Sequence, residues 1–125
     1  MTAPVITQPD LEAHVYDALK ELGGVESFAY AATQLDGPGW IWAHFVQVDA
    51  RAKRKAAARD LAEQARQIMA ALPDQPWAEG TVCYMQAVEG PFWLADDDGS
   101  PRYVARYEVR VHPRRQPPEG SPAAP

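Results

Sequence analysis

The chain has one cysteine, Cys83. It cannot close an internal disulfide, and a reducing compartment is the simpler expectation. No apolar run approaches the roughly 20 residues that a membrane-spanning helix needs, so no membrane association is expected. The opening residues, MTAPVITQPD, lack a basic n-region and an apolar h-region, and a signal peptide is not expected. Before Asp49 the only Lys or Arg is Lys20. The histidines, His14, His44 and His112, lie far apart in sequence, and none has a second ligand at metal-binding spacing. G-x-S-x-G, the P-loop, H-E-x-x-H and the dinucleotide fingerprint are all missing. No residue is singled out as catalytic, metal-ligating or cofactor-binding, and an enzyme is the weaker expectation.

What is present describes an ordinary globular chain. A length of 125 residues gives one domain, and 46% hydrophobic with 23% charged residues places it among globular proteins. The net charge of -5 argues against a dedicated nucleic-acid binder. The cations cluster at Arg51, Lys53, Arg54, Lys55, Arg59 and Arg66. A solvated helix face accounts for such a run. The sharper reading is a surface that meets an acidic partner, either another subunit or a phosphate backbone.

The organising stretch is Trp40 to Leu72. Its first part, WIWAHFVQV, is apolar on both alternating sets. That predicts a strand covered on both faces, or covered on one and at an interface on the other. The second part has helical spacing at Ala58, Leu61, Ala65, Ile68 and Leu72. An earlier helix is predicted from Pro9, capped by Thr7 or Gln8, with the stripe Leu11, Val15, Ala18, Leu19 and Leu22, and Gly23 and Gly24 end it. Phe28–Leu35 reads as a strand, and Asp36–Gly39 turns it antiparallel onto the central strand. Thr81–Val88 is a third strand, with Val82, Tyr84, Gln86 and Val88 on one face and Cys83, Met85 and Ala87 on the other. Cys83 is expected to be a small buried hydrophobe.

Asp96, Asp97, Asp98 and Gly99 read as a solvated hairpin tip, since no Glu stands in register to complete a calcium loop. From Arg102 to His112 the alternation is cleanest. Tyr103, Ala105, Tyr107, Val109 and Val111 face the core, and Arg102, Arg106 and Arg110 line what reads as an exposed edge. The remainder is rich in proline and reads as a flexible tail. The expected architecture is α+β: a mostly antiparallel sheet of four to five strands with two helices on one face. One domain covers residues 1–113, with the tail at 114–125.

The passage FVQVDARAKRKAAARDLAEQARQIMAAL, the terminal unit DDDGSPRYVARYEVRVHP and the opening helix LEAHVYDALKEL together resemble the tail terminator proteins of long-tailed, siphovirus-type bacteriophages. The resemblance lies in element order and sequence texture over most of residues 9–113. It implies a non-enzymatic virion protein, assembled in the host cytoplasm and located at the head-proximal end of the tail. The implied form is a hexameric ring that caps the tail tube protein, stops polymerisation and docks the head-tail connector or stopper. DNA would pass through the lumen without sequence-specific binding.

A ring needs subunit contacts. Trp77, Phe92 and Trp93 beside Asp96, Asp97 and Asp98 offer an apolar patch with a charged rim. Arg51, Lys53, Arg54 and Arg59 of the next subunit are the expected opposite surface. Phe92 and Trp93 read equally well as core. Two other readings stand: another neck or head-tail joining protein, and a small-molecule-binding domain with a pocket near Trp40, Trp42 and His44.

Overall fold

A computed structural model of the chain describes residues 5, 6, 8–35, 41–113, 115 and 116. The expected turn at Asp36–Gly39 lies outside them. So does the expected tail, apart from Arg115 and Gln116. The elements run β1 (Val5–Ile6), α1 (Leu11–Leu19), β2 (Val25–Gln34), β3 (Trp42–Arg51), α2 (Lys55–Ala70), β4 (Pro76–Trp77), β5 (Gly80–Trp93), β6 (Arg102–Pro113) and β7 (Arg115–Gln116). The main sheet has five antiparallel strands in the order β2-β3-β6-β5-β4, and β1 pairs with β7 in a separate ribbon. This is the expected α+β fold.

Both helices lie on one face of that sheet. Leu11, Val15 and Leu19 of α1 and Ala65 and Met69 of α2 enter one core with Val46, Val48, Val82, Ala105, Tyr107, Val109 and Val111. Each large side chain removed from water there stabilises by about 1.5–3 kcal/mol before ordering costs. The register sets the layers: Val46 lies opposite Tyr107 and Val48 opposite Ala105, and Val82 lies opposite Val111.

Several local expectations need correction. The cap of α1 is Asp10, whose Oδ1 accepts from the Ala13 amide at 3.1 Å, and not Thr7 or Gln8. A short carboxylate three residues before an unpaired amide satisfies that donor and also favours the positive end of the helix dipole. The buried stripe of α2 is Ala58, Ala62, Ala65 and Met69, with Leu61 and Ile68 half-buried beside it. Small side chains take the line nearest the sheet, so the helix backbone can approach closely. Arg102–Pro113 is the middle strand of the five, so its arginines do not line an edge.

In β5 the alternation breaks at a bulge between Val82 and Tyr84. Val82 and Met85 therefore share the core side, opposite Val111 and Val109, while Tyr84 and Gln86 face away opposite Arg110 and Glu108. Cys83 is the extra residue. It is exposed rather than buried, and its thiol donates to the Arg110 carbonyl at 3.4 Å. Partial burial pushes that thiol's pKa up, away from a thiolate.

Candidate functional site

Among the described residues no helix covers the other face of the sheet. Period-two alternation delivers Arg102, Arg106 and Arg110 to its middle, and the register brings residues of β2, β3 and β5 beside them. At the hairpin end these form a network around Asp49, which is 4% exposed. The Arg102 guanidinium reaches Asp49 Oδ2 at 3.2 Å, and Gln47 donates to Oδ1 at 2.9 Å. Arg51 contacts Asp49 at 3.5 Å, Glu26 at 3.2 Å and Asp96 at 2.6 Å. The hydrogen bond to Asp96 is the main reason that the Arg51 guanidinium is held above its ordinary pKa.

Further along, Arg106 donates to Gln47 at 3.1 Å, pairs with Glu89 and lies 6.0 Å from the Phe92 ring. Arg110 donates to Glu108 at 2.6 Å and stands 4.5 Å over the Tyr84 ring. Exposed apolar side chains flank this ladder. Phe28 is 42% exposed, and Tyr30, at 49%, tilts against the Phe45 ring. The paired charges contribute about 0–1 kcal/mol each where water reaches them.

The residues predicted for the subunit interface are only partly brought together. Arg51 and Asp96 pair within one chain, so they satisfy each other rather than reaching across subunits. Lys53, Arg54 and Arg59 are exposed around the start of α2, and Arg54 is its N-cap residue with no side-chain cap bond. Trp93 is exposed, with Lys55 Nζ 4.7 Å above its ring. Phe92 is half-buried beside it, and Asp97 and Asp98 are exposed in the hairpin tip. Trp77 is elsewhere. It sits beside Gly80, at the opposite end of the 14-residue β5 from Phe92 and Trp93, and stacks on His14 at 4.2 Å.

Sequence reasoning missed Asp49, Glu26 and Glu89 as partners of the arginines. The alternation of Arg102, Arg106 and Arg110 with apolar neighbours marked a polar side, but strand register alone decides who meets whom. It also missed Lys55 as the partner of Trp93.

Among the described residues the sheet has two partly open margins. One is β2, the first strand. Its Ala29 amide is sealed by Glu12 of α1 at 2.8 Å, whereas Tyr30 to Gln34 are all exposed. The other is β5, whose outer side is covered by β4 only at Gly80 and Thr81.

A cleft of about 380 Å³ lies at the start of α1, lined by Asp10, Glu12, Ala29 and His44 among others. His44 is 2% exposed and its Nε2 has no partner. Burial pulls its pKa down, against the field of Asp10. Trp42 is not among the lining residues, and Trp40 lies outside the described ones. Among the described residues no group of three His, Cys, Asp or Glu side chains converges as metal ligands do.

The chain matches no protein-family model, and no curated protein matches it.

Proposed function

We propose that the protein is a non-enzymatic, ring-forming structural subunit of a long-tailed bacteriophage: a tail terminator that caps the tail tube and receives the head connector. One observation carries this reading. Among the described residues helices cover one face of the sheet only, and the opposite face presents Phe28, Phe45, Tyr84 and Phe92 around an arginine-carboxylate ladder. A surface of that kind suits protein contact better than chemistry on a small substrate. The end bearing Lys53, Arg54, Arg59, Trp93, Asp97 and Asp98 is then a further contact surface of the ring, with Trp93 as its anchor. A subunit of net charge -5 lines a channel through which DNA slides without sticking.

The test is the mass of the purified chain by light scattering, with negative-stain images of the same fractions. The expected result is a ring with six-fold symmetry and a central hole. Binding to portal-side rings in place of tube ends identifies a different neck protein. A second reading rests on the cleft beside His44, whose unpartnered nitrogen is what a small-molecule site offers. A monomer that fails to bind tube ends favours that reading instead.

A further inference from the structure

The two margins of the main sheet differ in how they are protected. Exposed strand edges invite pairing with other chains, and proteins blunt them with Lys, Pro, bulges or covering elements. Along β2 the protection stops halfway. Glu12 occupies the Ala29 amide, and a register shift follows between Ala29 and Ala31. Beyond that point Tyr30, Ala31, Ala32, Thr33 and Gln34 are exposed, with no charge and no proline.

The direction of the free amides follows from the pairing. Leu35 donates to the Ile41 carbonyl, so Leu35 and Ile41 form a hydrogen-bonded pair. Alternation along an antiparallel ladder then turns the amides of Ala32 and Gln34 away from β3.

At the other margin, β4 covers β5 only at Gly80 and Thr81. The straight run Tyr84–Ala87 follows, between one bulge at Cys83 and another before Glu89. It also has no charge and no proline. Leu94 donates to the Arg102 carbonyl. The same alternation, with Tyr84 opposite Arg110 and Gln86 opposite Glu108, turns the amides of Met85 and Ala87 outward.

We propose that copies of this chain join head to tail through these edges, the Tyr30–Gln34 half of β2 adding as a strand beside Tyr84–Ala87 of the next copy. The occupant is a second copy because one chain carries both unlike edges, at opposite ends of one sheet and of similar length. A single repeated contact covers both, and a contact between unlike surfaces is the kind that closes into rings. The inference deepens the ring-forming reading and rests on it for closure.

The test uses proline at the outward amides. Ala32→Pro and Ala87→Pro each remove one outward donor and leave the existing ladder bonds intact. Ala32→Lys and Val88→Lys place a guarding charge without touching the backbone and serve as second variants, with thermal melting as the check on folding. In sedimentation velocity each variant is expected to lose assembly and run as a single 13.8 kDa chain. An equimolar mixture of Ala32→Pro and Ala87→Pro is expected to form a two-chain species and nothing larger, since each partner keeps one working edge.

A wild-type ring whose mass is unchanged by every variant overturns the edge contact and leaves the ring reading standing. A mixture that stays monomeric while each variant alone is monomeric overturns the head-to-tail pairing. A wild-type chain that is single both alone and on tube ends overturns the contact and the ring reading together.

Discussion

Asp49 is the residue on which the open face depends. It is 4% exposed and accepts from Gln47 and Arg102, with Arg51 alongside. Removing the carboxylate leaves two guanidinium groups with one fewer partner. Full burial puts such a loss at about 3–5 kcal/mol; the arginines are 20% and 31% exposed, and water screens part of it. Asp49→Ala is therefore expected to cost about 1–3 kcal/mol, read as a lower urea midpoint at unchanged slope. Asp49→Asn, which keeps an acceptor, is expected to cost less.

Two histidines whose buried Nε2 atoms have no hydrogen-bond partner give a pH signature. His14 and His44 both titrate below the ordinary value of 6.5, chiefly through burial. Once the pH falls below 6.5 the unfolded chain binds protons that the folded chain refuses. Stability is thus full above that pH and declines as pH falls toward the folded-state values. The urea midpoint is expected to drop between pH 7.5 and pH 5.5, and the drop is expected to shrink in His44→Leu. An unchanged drop in that variant contradicts the assignment to His44.

At the scale of elements, legibility followed the regularity of the backbone. The stripe of α1 and the alternation of β6 were readable because both elements keep a constant period over their whole length. In β5 a single inserted residue, Cys83, exchanged the faces of Tyr84–Ala87 until the next register shift before Glu89, and no side chain announces a bulge. The position of β6 in the middle of the sheet was hidden for a different reason. Strand order depends on long-range pairing, and the arginines that read as an edge guard belong to the open face.

Of the candidate interface, the basic start of α2 and the acidic tip were visible. Their meeting at Arg51 and Asp96 inside one chain was not, because the β5–β6 hairpin folds that tip back onto the end of β3.

Two elements allow direct tests. Helix α2 begins at Arg54 with no side-chain cap and no acid in its first turn. Arg54→Asp is expected to stabilise the chain by about 1 kcal/mol by supplying both, measured by urea unfolding. The turn from α1 into β2 depends on Gly24, whose φ is 87° and where an added Cβ would come within 2.5 Å of the Arg51 carbonyl oxygen. Gly24→Ala is expected to cost about 1–3 kcal/mol.

At the scale of the whole molecule, both helices lie on one face of the main sheet, and the proposed role is for other chains to complete the layer. Sequence texture suggested the tail terminator reading, and the open face and the half-guarded margins at β2 and β5 favour the proposed assembly role. The most direct test of the proposed tail-terminator role adds the purified chain to a polymerising bacteriophage tail-tube protein and follows tube lengths by electron microscopy. Growth is expected to stop, with a ring of this chain at one end of each arrested tube. Tubes that lengthen at the same rate and carry no added density at either end would contradict the central claim.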